Sequence, residues 1–151
     1  MRALTVIPGR SGSLALTDLD EPIVRPDQIL VRTLAIGVCG TDHEIASGQY
    51  GSAPAGADRL VIGHESLAEV IAAPTDSDLK AGDRVVGIVR RPDPVPCANC
   101  AVGEWDMCRN GRYEECGIKN LHGFAAERFA LNPGFAIKLD PTLAENGVLL
   151  E

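Results

Sequence analysis

The 151-residue chain has no apolar run long enough to cross a bilayer, no G-x-G-x-x-G turn and no P-loop pattern. The first absence argues against a membrane span. The other two leave the chain without a recognisable dinucleotide or nucleotide site of its own. Basic residues are also few: 14 Lys and Arg face 21 Asp and Glu, for a net charge of −7. Nucleic acids and anionic membranes select a basic footprint, so neither is an expected partner. The opening MRALTVIPG is broken by Pro8 and Gly9 too early for a secretory leader, which makes a cytoplasmic location the expectation. There is no internal repeat, no low-complexity tract and no long amphipathic helical pattern.

Turn residues are abundant instead. Sixteen glycines and ten prolines separate short apolar runs, and the chain length fits one domain with a proper core. ALTVI, ILVRTLAIGV, LAEVIAA and DRVVGIV are rich in β-branched residues and bounded by Gly, Pro or Asp, which predicts strands. Short helices are expected over Thr41–Ser47, stopped by Gly48, and from Pro141 onward with Asp140 as N-cap. The closing NGVLLE reads as an uncapped helix, so the sequence suggests a chain cut before a further domain. Residues 92–112 differ from the rest: three prolines, three cysteines and few β-branched residues cannot make a hydrophobic core. A lobe held by something other than burial is expected there.

Five cysteines, four of them between Cys97 and Cys116, read as metal ligands before disulfides in a reducing compartment. GVCGTDHE and LVIGHES lie about 25 residues apart, each after a strand-like run. The thiolate of Cys39, the imidazole of His64 and the carboxylate of Glu65 are a donor set that holds zinc by three protein ligands and leaves a fourth position open. Either motif alone is weak. A single cysteine after a strand is usually a small buried side chain, and a Gly-His pair is usually a turn. The second cluster, Cys97, Cys100 and Cys108, has the spacing C-x2-C-x7-C.

In this order, Cys39-Gly40-Thr41-Asp42, Gly63-His64-Glu65 and Gly82-Asp83-Arg84-Val85 resemble the GroES-like catalytic domain of the zinc-dependent medium-chain dehydrogenases, over essentially the whole chain. GVCGTDHEI, VRRPDP, DMCRNGRY, EECGIK and LHGFAAE are closest in wording to the glucose dehydrogenase branch. The resemblance implies a mainly β fold, a GroES-like partly closed barrel with few short helices and a cysteine-containing lobe at about 92–112. It also implies that an α/β nucleotide-binding domain follows in the intact parent. By the same resemblance Cys39 and His64 are ligands of a catalytic zinc, Glu65 is a ligand or its near neighbour, and Thr41 takes the substrate's proton. Some relatives relay that proton through a histidine five residues after the cysteine; Glu44 stands there, with His43 one earlier, so the outer relay is left unassigned.

The family's structural zinc lobe carries four cysteines, C-x2-C-x2-C-x7-C. Alignment on Cys97, Cys100 and Cys108 puts Pro94 at the first position, with Asp93 and Cys116 as alternative donors, although Cys116 reads better as a small buried side chain. The resemblance further sets Glu115 against the sugar hydroxyls, Glu151 beside the zinc or the sugar, and Arg90 and Arg91 along the same cleft. A carboxylate suits a polyol because it accepts from two neighbouring hydroxyls. His122 is expected to be a hydrogen-bonded core or loop histidine. The expected function is oxidation of a sugar or polyol, glucose at its anomeric hydroxyl, by a homo-oligomeric parent using zinc and NAD or NADP. Zinc is redox-inert, so the nicotinamide must carry the electrons. Another polyol, alcohol or amino-alcohol dehydrogenase is the nearest alternative; a non-catalytic, metal-stabilised binding module is the alternative from another class.

Overall fold

The computed structural model describes residues 1–143; Glu151 and most of the expected C-terminal helix lie outside the described residues. The four apolar runs form strands β1 (Arg2–Val6), β3 (Ile29–Gly37), β5 (Glu65–Ala72) and β6 (Arg84–Gly87). Seven further strands, none longer than four residues, complete the set among the described residues: β2 (Ala15–Asp18), β4 (Leu60–Val61), β7 (Arg90–Arg91), β8 (Glu114–Cys116), β9 (Asn120–Leu121), β10 (Arg128–Leu131) and β11 (Ala136–Lys138). Helix α1 (Gly40–Ala46) sits where a short helix is expected, and Gly48 (φ +80°) follows its end, in the left-handed region that favours glycine. Among the described residues no helix is long and apolar enough to cross a membrane.

The strands make three sheets, in the orders β2-β1-β4, β10-β3-β5-β6-β11 and β7-β8-β9. Among the described residues every pairing of these strands is antiparallel except β8 with β9. Residues 125–127 join the first two sheets: Leu4 N donates to Ala125 O (2.8 Å), Glu127 N to Arg2 O (3.0 Å) and Thr33 N to Glu127 O (3.1 Å). The wall therefore curls round without closing, because β10 and β11 remain separate edges.

Ile29, Val31, Ala68, Val70 and Val85 line the inner face of the five-stranded sheet and pack on Phe124 and Phe129, whose rings lie 4.7 Å apart. A second cluster of Val6, Ile45, Leu60, Ile62 and Ile118 seats α1. Ile45 is fully buried and anchors the helix; truncating such a side chain to Ala costs about 2–5 kcal/mol. The lobe between β7 and β8 holds helix α2 (Ala98–Ala101) and a 3-10 turn at Trp105–Met107. Within residues 92–112 only Asp93 and Cys100 are buried, so apolar burial does not hold it.

Candidate active site

Antiparallel pairing of β3 with β5 sets Gly37 opposite Glu65. Cys39, two residues past the end of β3, thereby arrives beside His64, one residue before β5. Cys39 Sγ lies 3.2 Å from His64 Nε2, and His64 Nε2 lies 3.8 Å from Glu65 Oε1. All three donor atoms fall within 4.8 Å of one another. His64 is buried, while Cys39 and Glu65 are half-buried, so the cluster opens on one side.

Sequence reasoning missed Asp42, the third residue of α1. One buried carboxylate faces both candidate ligands: Oδ2 accepts the Cys39 backbone N–H at 2.9 Å, and Oδ1 lies 3.6 Å from His64 Nδ1. That Nδ1 is buried and makes no hydrogen bond among the described residues. Ligating histidines commonly direct their second nitrogen at a carboxylate, which fixes the tautomer and raises the ring's basicity. A soft thiolate, an imidazole and a carboxylate with such a backing group fit zinc. Thr41, half-buried, is the second residue of the same helix.

Gly63 explains how His64 reaches its place. Its φ is +85°, and a Cβ there would lie 2.8 Å from Ala125 Cβ. Gly117 and Gly123 press on the same spot, and a Cβ on either would collide with the Gly63 carbonyl oxygen. Three chain segments thus meet backbone to backbone behind the histidine, tied by Gly123 N to Val61 O (2.7 Å) and Phe124 N to Gly63 O (2.8 Å). His122 braces this seam: its Nδ1 accepts from Val61 N (3.2 Å), and burial lowers its pKa, as expected for a neutral structural histidine.

The second thiol cluster also converges. Cys97, Cys100 and Cys108 place their sulfurs within 4.8 Å, with 3.7 Å between Cys97 and Cys100. Backbone N–H groups of Arg109 and Cys100 pull Cys97 down to about 6, whereas burial beside its two partners raises Cys100 to about 11. Asp93 does not complete this cluster. Its Oδ1 accepts from Val95 N (2.8 Å), and its Oδ2 accepts from Asn110 Nδ2 (2.8 Å) and Arg112 Nε (3.1 Å). Cys116 lies in the main core with Phe124. Three thiols, without a fourth protein ligand among the described residues, offer only part of a closed zinc site.

Glu115 occupies the middle of β8 and is 7 % exposed. Opposite it in register on β7, Arg90 donates to its Oε1 through Nε (3.1 Å) and Nη2 (2.6 Å). Arg91 turns elsewhere, with its guanidinium 4.0 Å from the Phe135 ring centroid.

A partly closed wall of short strands, few helices and a protruding cysteine lobe defines a GroES-like domain. Residues 25–141 match the family model described as alcohol dehydrogenase GroES-like domain, and the chain belongs to that family. Glucose 1-dehydrogenase of Thermoproteus tenax is 45% identical over 100% of this chain, and that of Methanocella arvoryzae 43%. The chain spans 42% of the length of each. The glucose dehydrogenase of Haloferax mediterranei, solved in complex with NADP, Zn and gluconolactone, matches with a TM-score of 0.88 at 36% identity. That match covers 100% of this chain and 42% of the other. Galactitol-1-phosphate dehydrogenase from Escherichia coli, at 21% identity and a TM-score of 0.81, shares the fold.

Proposed function

We propose that this chain is the zinc-binding catalytic domain of a cytoplasmic, homo-oligomeric glucose dehydrogenase, followed in the intact parent by a nucleotide-binding domain for NAD or NADP. The observation that carries the reading is the convergence of Cys39, His64 and Glu65 within 4.8 Å, with the Asp42 carboxylate behind them. The relatives named above, two glucose 1-dehydrogenases and a zinc- and NADP-bound glucose dehydrogenase, support the substrate and the cofactors.

Zinc held by Cys39, His64 and Glu65 would stabilise the alkoxide formed when a sugar hydroxyl loses its proton. Thr41 supplies the hydroxyl that receives that proton, and the Asp42 carboxylate, 3.6 Å from His64 Nδ1, orients the imidazole. Glu115 accepts hydrogen bonds from ring hydroxyls, and Glu151, outside the described residues, serves the metal or the sugar. Cys97, Cys100 and Cys108 offer three thiolates to a second, structural zinc.

The alternative of a metal-stabilised binding module rests on the three-thiol lobe and requires metal there alone. Cys39→Ser separates the two. The enzyme reading expects the purified chain, supplied with zinc, to lose one equivalent while its circular dichroism stays largely unchanged, because a catalytic site adds less to folding than a structural one. Unchanged zinc content would make Cys39 a packing residue and return the chain to the module reading.

A further inference from the structure

Arg90 spends its whole guanidinium on a task that the metal chemistry does not require. Nε and Nη2 converge on one oxygen, Glu115 Oε1, while Nη1 donates to Asp106 O (2.9 Å) with Trp105 O at 3.5 Å. The face of the same guanidinium lies 4.2 Å from the Tyr113 ring centroid, and Lys119 Nζ sits 4.1 Å from that ring. Glu115 is held by its backbone as well: its N–H donates to Lys119 O at 2.8 Å. A buried carboxylate normally spreads its bonds over both oxygens to recover lost hydration. Here the protein's side-chain donors fall on Oε1, and Oε2 has no hydrogen bond among the described residues. It is not sealed off either, since His64 Nδ1 is the one buried side-chain atom found unsatisfied among the described residues.

We infer that Arg90 is the positioning residue for Glu115: it pins Oε1 and points Oε2 alone at a substrate hydroxyl. The inference rests on the reading that Glu115 faces the sugar. It adds where discrimination between a sugar and a simple alcohol comes from. A carboxylate free to rotate offers acceptors in many directions and loses entropy on binding, whereas a pinned one offers a single acceptor in a fixed direction. The donors must form a planar fork, which Lys cannot reproduce. Arg90 also ties that direction to the lobe, because its third nitrogen is held by the turn at Trp105–Met107.

The test is a double-mutant cycle in the zinc-loaded protein that carries this chain together with its nucleotide-binding domain, with glucose and a primary alcohol as substrates. Glu115→Gln should raise the glucose KM at least tenfold. Arg90→Lys should also raise it about tenfold, with kcat falling less than threefold, so the preference for glucose over the alcohol drops by the same factor. Adding Arg90→Lys to Glu115→Gln should change the glucose KM by no more than twofold. If Glu115→Gln leaves the glucose KM unchanged, the sugar-facing reading of Glu115 fails. If Glu115→Gln raises it and Arg90→Lys does not, or if the two effects multiply, that reading stands and the positioning role is overturned. Should Arg90→Lys fold poorly, Arg90→Ala with added guanidinium ion decides: recovery of the glucose KM supports the role, and restored folding without that recovery contradicts it.

Discussion

Asp42 has two carboxylate oxygens aimed at two candidate zinc ligands, and removing them should loosen both. Asp42→Ala frees the Cys39 backbone N–H and leaves His64 Nδ1 with no acid facing it. Loss of such an outer partner typically costs 10–100-fold in metal affinity. Competition with a chromophoric chelator should show a zinc dissociation constant raised by that factor, and an unchanged constant would mean that Asp42 is only a helix cap. Cys39, His64 and Glu65 were legible in the sequence because thiol, imidazole and carboxylate at turns after strands form an uncommon donor set. Asp42 was not, because an acid at the third position of a helix is an ordinary capping feature. Its second role appears only when β3 and β5 pair and bring His64 over the helix start. Arg90 was placed in the cleft, but its contact with Glu115 was hidden for the same reason: a surface-type residue becomes a fork on that carboxylate only through the β7–β8 register.

At the scale of elements, the long strands were readable and the short ones were not. ILVRTLAIGV and LAEVIAA carry enough β-branched residues to mark β3 and β5, whereas Arg90–Arg91 and Asn120–Leu121 are too short for any periodicity. The lobe was expected to rely on something other than burial, and a polar clamp is part of the answer. Asp93 near its start grips Asn110 and Arg112 at its end, and the Asp93 side chain is fully buried. Burial pushes the Asp93 pKa up, but the donors Val95 N–H, Asn110 and Arg112 outweigh it and hold the pKa below the usual 3.8. A carboxyl with a depressed folded pKa contributes stability that is present above the unfolded value and lost as pH falls through the folded one. The clamp should therefore hold at neutral pH and release only below about pH 3.8. Asp93→Asn should speed amide hydrogen exchange across residues 94–111 at pH 7, in zinc-free as well as zinc-loaded protein. If exchange there depends on zinc alone and not on Asp93, the clamp is incidental.

On the scale of the whole molecule, a curled wall of short strands brings the turns that carry Cys39, His64 and Glu65 to one place, and on the proposed reading what that place does depends on metal. Short strands and many turns followed from composition, and the GroES-like class from the resemblance that three motifs in order carry. The distinction between an enzyme site and a packing cluster did not, because side-chain convergence is a tertiary fact. The most direct measurement is zinc-edge X-ray absorption on a variant in which Cys97, Cys100 and Cys108 are all replaced by Ser, so that only the first cluster can report. One sulfur at about 2.3 Å with nitrogen and oxygen ligands at about 2.0–2.2 Å is the predicted first shell. Failure of the folded variant to retain zinc, or a shell without sulfur, would contradict the assignment of Cys39 and His64 and with it the catalytic reading of this domain.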